Sequence, residues 1–170
     1  MTRNKIWAMS FERRYIVEPP ESLLVEYGDE ILSSPKFLKL KDYRHHVKSN
    51  TYDHCVAVTL EAIHLAKKWH IRVNPSALVH GCLLHDYYCY DHHGPDRPKW
   101  HWARHDMTAA INAQRDFNVD ATEADMIANH MWPIHPLRFP LCIEGWILTL
   151  ADKVVAAKER FQKKAKQKEQ

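Results

Sequence analysis

Asn74-Pro75-Ser76-Ala77-Leu78-Val79-His80-Gly81-Cys82-Leu83-Leu84-His85-Asp86-Tyr87-Tyr88 is the stretch on which the fold turns. Asn74 offers a side-chain oxygen for a helix N-cap, and Pro75 follows at the first helical position, where its missing N–H is not needed. From Ala77 to Leu84 only His80 is polar. A helix apolar on nearly every side has to be enclosed by other elements, so this one predicts a buried helix carrying Ala77 through Tyr88. His85 and Asp86 emerge near its end. Adjacent residues on a helix point about 100° apart, so both reach one ion only from its flank.

The surrounding sequence predicts helices too. Glycine is scarce, with four in the chain, and β-branched runs are short. Pro19-Pro20 open a helix running through Leu23, Leu24 and Tyr27 to Ile31 and Leu32, and Pro35 starts a shorter one. Asn50 or Thr51 caps a long helix in which Cys55, Val58, Ala62, Leu65 and Trp69 recur at helical spacing. Asp91 to Pro98, with Gly94 and Pro95, reads as a loop, followed by a helix from about Trp100 to Phe117. Asp120 with Glu123 forms a capping-box pattern before Ala124 to Met131. Pro133, Pro136 and Pro140 interrupt regular structure until a last helix from Leu141 to about Arg160. The expectation is an all-α, single-domain helical bundle of six or seven helices. Residues 1–49 would be an N-terminal helical segment packed on the core, 50–160 the bundle proper and 161–170 a basic C-terminal tail.

Composition narrows the function. With 45% hydrophobic and 26% charged residues the chain reads as an ordinary globular protein. The net charge of +3 owes part of its value to the lysines of the tail, and a nucleic-acid partner is not expected. The basic start runs into Trp7, Ser10, Glu12 and Arg13 without an apolar core, which is not a secretory signal, and no apolar run approaches the roughly 20 residues of a membrane span. Cys55, Cys82, Cys89 and Cys142 are scattered, so reduced thiols and a cytoplasmic location are expected. The exposed N-terminal aromatics Trp7, Phe11 and Tyr15 leave a homo-oligomer open. All thirteen histidines fall between His45 and His135, a density for which metal ligation is the commonest reason.

Five places hold histidine or aspartate in helical, apolar settings: His54, the pair His85-Asp86, His105, His130 and Asp152. Imidazole and carboxylate are ligands for divalent iron, manganese, zinc, cobalt or nickel, and a bundle can project them inward from facing helices. The order of these stations resembles the HD superfamily of metal-dependent phosphohydrolases. It is carried by Tyr52-Asp53-His54-Cys55-Val56-Ala57, Leu83-Leu84-His85-Asp86-Tyr87, Arg104-His105-Asp106-Met107, Ile127-Ala128-Asn129-His130-Met131-Trp132-Pro133 and Leu148-Thr149-Leu150-Ala151-Asp152-Lys153. The resemblance implies an HD-type bundle with one or two divalent ions. His54, His85, Asp86 and Asp152 would hold the first, and Asp86, His105 and His130 the second, with Asp86 bridging. Some dinuclear members place two adjacent histidines at the fourth station. Met131 follows His130 here, and His135 is the nearest substitute.

The implied activity is hydrolysis of a phosphate ester of a small molecule, a nucleotide first, through hydroxide that a divalent ion makes available at neutral pH. Asp86, Lys153 and Arg104 are the candidate catalytic residues, and Arg97, Lys99 and Arg138 are further cations near the stations. Two alternatives stand beside this reading. One is a di-iron oxygenase of the same superfamily, and the other a non-catalytic metal- or nucleotide-binding HD domain. A His-Asp dipeptide alone says little, since His105-Asp106 is a second one, and only the apolar approach selects His85-Asp86. His101 and His105, four apart, can also chelate by themselves, while Trp100, Trp102 and Trp132 read first as packing residues.

Overall fold

The structure, a computed structural model, describes residues 12–46, 49–91, 94 and 98–168. Seven α-helices make up nearly all of its regular structure: α1 (Pro20–Leu32), α2 (Pro35–Leu38), α3 (Thr51–Lys68), α4 (Pro75–Leu84), α5 (His101–Phe117), α6 (Ala121–Asn129) and α7 (Ile143–Lys168). The all-α expectation holds for these residues. One departure is a small antiparallel pair, β1 (Arg44–His46) with β2 (Ser49–Asn50), which leads into α3 and is too short to leave a periodic signal in the sequence.

The helix starts follow the predicted chemistry. The Asn50 side chain accepts from the Asp53 N–H, and that of Asn74 from the Ala77 N–H. Asp120 and Glu123 close a reciprocal capping box at the start of α6. Two ends differ from expectation. The helix of the opening stretch stops at Leu84 rather than at Tyr88, with His85 as its C-cap. The last helix begins two residues late, after Pro140-Leu141-Cys142, and continues to Lys168 through the segment read as a tail.

Helix α4 lies at the centre. Every residue of it except His80 is buried, and it packs against α1, α3, α6 and α7, with a smaller contact to α5. The core around it is built from Leu23, Phe37, Leu40, Val58, Ile63, Leu78, Leu83, Leu84, Met126, Ile127 and Leu148, all fully shielded from solvent. Gly81 permits the approach of α6, because a Cβ there would stand 2.5 Å from the Met126 Cε. Glu144, 1% exposed at its side chain, staples the chain entry to this core: it accepts from Arg13 Nε at 2.9 Å and from the Asn74 N–H at 2.8 Å. No helix among the described residues is long and apolar enough to cross a membrane.

Candidate metal centre

The five stations converge. His54 comes from the first turn of α3, His85 and Asp86 from the end of α4, His105 from α5, His130 from the end of α6 and Asp152 from α7. The ligand-type atoms of His54, His85 and Asp152 lie within 4.8 Å of one another, and so do those of His85, Asp86 and His130. His105 falls outside both groups, yet its Nε2 is 3.6 Å from Asp86 Oδ1. All four histidines are buried, and Asp86 is 5% exposed.

The distances discriminate between a hydrogen-bonded cluster and a ligand set. His85 Nε2 is 3.7 Å from Asp86 Oδ2 and 3.9 Å from Asp152 Oδ1, His130 Nε2 is 3.8 Å from Asp86 Oδ1, and His54 Nε2 is 3.3 Å from Asp152 Oδ1. An N–H···O bond closes to about 2.7–3.2 Å. Two donors each about 2.0–2.2 Å from one tetrahedral ion stand roughly 3.3–3.6 Å apart. All four contacts are longer than a closed hydrogen bond; the His54–Asp152 contact falls within the ligand spacing and the other three lie about 0.1–0.3 Å beyond it. His85 Nε2 makes this concrete: it is fully buried and has no hydrogen-bond partner, a state that costs about 1–3 kcal/mol unless something fills the position. The residues therefore fit a divalent ion.

Each ring is held by its other nitrogen. His85 and His130 are the C-cap residues of α4 and α6, where helical carbonyls run out of N–H partners. Their Nδ1 atoms donate back to Cys82 O at 2.8 Å and Ile127 O at 2.7 Å. His105 Nδ1 donates to His101 O at 3.1 Å. A carbonyl only accepts, so Nδ1 carries the proton in all three and the Nε2 lone pair faces the cluster, which is the tautomer that a metal needs. Burial keeps His85 and His130 neutral, lowering both from the usual imidazole value, and His130 falls to about 3 with His85 and His105 adding to the effect. His54 behaves differently. Burial pulls it down, but the facing Asp152 and Glu159 carboxylates outweigh that and lift it to about 10. Proton and metal compete for the same carboxylates there.

At the rim, Lys153 Nζ donates to His130 O at 3.1 Å and stands 3.8 Å from Asp152 Oδ2, its pKa lowered by burial. Tyr88 lies under the cluster edge with its ring centroid 6.0 Å from that of His105. The Tyr90 hydroxyl meets His101 Nδ1 at 2.8 Å, and the His101 ring lies 4.9 Å from that of His105.

Several candidates lie elsewhere. Arg104 and Lys99 are exposed, and among the described residues no hydrogen bond or ion pair ties the Arg104 guanidinium to the cluster. Arg138 bonds Asp106 Oδ2 at 2.8 Å, and His135 Nε2 lies 3.8 Å from the same oxygen, so both belong to the second His-Asp pair rather than to the ligand groups. Trp7, Phe11, His92, His93 and Arg97 lie outside the described residues. One residue set aside in the sequence and one not singled out there also carry contacts. Asp106, fully buried, anchors the 133–140 segment through Arg138. Glu159 Oε2 is 3.4 Å from His54 Nδ1. The only signal for Glu159 is its place two helical turns after Asp152, which puts both carboxylates on one face of α7. No family model, curated protein or solved structure matches the chain.

Proposed function

We propose that this chain is an HD-type metal-dependent phosphohydrolase acting on a small phosphorylated molecule, with a nucleotide the first substrate to try. The observation that carries the reading is the convergence, from four helices in the HD order, of His54, His85, Asp86, His130 and Asp152, whose ligand-type atoms form two groups each within 4.8 Å, with His105 of a fifth helix beside Asp86. His54, His85, Asp86 and Asp152 would hold one ion and Asp86, His105 and His130 a second, with the Asp86 carboxylate shared between them. Bound there, a divalent ion supplies a Lewis acid for a phosphoryl oxygen and lowers the pKa of water toward neutrality. The protein's own part is orientation. The backbone carbonyls of Cys82, Ile127 and His101 fix the rings, and Lys153, half-buried beside Asp152, offers a cation to a phosphate at the cluster. We keep Lys153 rather than exposed Arg104 as the phosphate-steadying cation.

The test is elemental analysis of the full chain, followed by phosphate release from a panel of nucleoside monophosphates with the metal found. Bound transition metal and release that both disappear in Asp86→Ala are the expected result. Oxygen uptake without phosphate release would move the chain to the oxygenase alternative. A chain that takes up no metal under any loading would overturn the proposal.

A further inference from the structure

Three of the four imidazoles at the centre are oriented by carbonyls of their own helices. His85 and His130 use the loose carbonyls of helix C-termini, and His105 reaches back one turn to His101. His54 is held from another helix. It lies in the first turn of α3, four residues after the Asn50 cap. Its Nδ1 is met instead from another helix, by Glu159 Oε2 at 3.4 Å, while its Nε2 faces Asp152 Oδ1 at 3.3 Å. Two carboxylates on one face of α7 thus flank the two nitrogens of one ring at ion-pair distance. The Glu159 side chain is 20% exposed and the His54 side chain fully buried, so bulk ions screen the contact little.

We propose that Glu159 is a positioning residue of the metal centre, accepting the His54 Nδ1–H so that Nε2 is the nitrogen presented to the ion beside Asp152. This rests on the metal-centre reading above. A full negative charge behind the ring also makes His54 a stronger donor than its three carbonyl-backed counterparts. The fold does not hang on the contact. Helix α7 packs along α3, and Lys158 Nζ binds Glu61 Oε2 at 2.7 Å between the same two helices.

The experiment is a Co²⁺ titration of the full chain, stripped of metal by a chelator, read by the visible absorption of the bound ion. It compares wild type, Glu159→Ala, Glu159→Gln, His54→Ala and the His54→Ala/Glu159→Ala double variant. Glu159→Ala is expected to weaken the ion beside His54 by about 10–100-fold and to change its spectrum. Glu159→Gln, a neutral acceptor of the same shape, should restore the spectrum with intermediate affinity. In the His54→Ala background the Glu159 substitution should add nothing. Wild-type affinity and spectrum in Glu159→Ala would overturn the proposal, and so would an undiminished effect without His54, which would make Glu159 a ligand or a plain structural residue. Should Glu159→Ala fail to fold by circular dichroism, Glu159→Gln decides: an unrestored spectrum in a folded chain refutes the role. Unaltered binding in His54→Ala would instead sink the metal-centre reading itself.

Discussion

Leucine in place of His85 separates what the ring does for a metal from what it does for the fold. His85 belongs to both ligand groups, is fully buried, donates from Nδ1 to Cys82 O at 2.8 Å and leaves Nε2 without a hydrogen-bond partner. Removing that nitrogen relieves about 1–3 kcal/mol of desolvation. Against this stand the lost bond to Cys82 O, about 1 kcal/mol net, and an imperfect leucine fit of about 1 kcal/mol. Metal-free His85→Leu should therefore unfold within about 1 kcal/mol of wild type, although a polar residue has been deleted from the centre of the molecule. With metal at about 100 times its dissociation constant, wild type gains roughly 2.7 kcal/mol. For a chain of this size that moves Tm upward by about 5–11 °C. The variant should gain nothing. Thermal unfolding of both proteins, with chelator and with Zn²⁺ or Mn²⁺, reads all four states. A loss above about 3 kcal/mol in the metal-free variant would refute the reasoning by showing that the cluster is satisfied and load-sharing without an ion. A full metal-induced shift in the variant would remove His85 from the centre.

Other perturbations test separate parts of the argument. Glu144→Ala should cost about 2–4 kcal/mol by urea denaturation, because it strands the Asn74 N–H and releases Arg13; a cost under 0.5 kcal/mol would contradict the staple. His80 donates to Glu123 Oε1 at 2.8 Å and to Tyr27 O at 2.9 Å, and these raise its pKa although burial lowers it. The stabilisation is complete below its unfolded value near 6.5 and is lost as pH rises through the higher folded value, so the advantage of wild type over His80→Gln should shrink from pH 5 to pH 9. An advantage that grows with pH would reverse the assignment. Lys153→Met should keep the metal content and lower kcat/KM for phosphate release by about 100-fold, as loss of one preorganised donor does; unchanged turnover would take Lys153 out of the site.

Much of this molecule can be read from its residues, and the boundaries of that reading have physical causes. The buried helix α4 is legible because enclosure demands apolar residues on every side, and the caps Asn50, Asn74 and Asp120 are legible because orphan N–H groups need acceptors. The six ligand candidates were visible as polar residues in apolar helical settings. The stop at Leu84 was not, because His85 and Asp86 terminate the helix by ring-to-carbonyl bonding rather than by a proline or glycine. The β1–β2 pair escaped for want of length. Asp106 and Glu159 escaped because their partners, Arg138 and His54, come from elements that only the tertiary fold brings near. Arg104 shows what adjacency in sequence leaves undecided. Adjacent to His105 in sequence, it points about 100° away on the helix and is exposed.

That His85 and His130 serve at once as ring donors and as helix terminators constrains how such a chain can vary in length. Adding or deleting one residue within α4 or α6 would rotate the terminal ring by about 100° and move it about 1.5 Å along the axis, detaching His85 from Asp152 or His130 from Asp86. Insertions after the rings meet no such penalty, since the backbone beyond them has already left the helix. Length variation among descendants of this sequence should therefore collect downstream of Asp86 and of His130, while the helices that lead to the cluster keep their residue count.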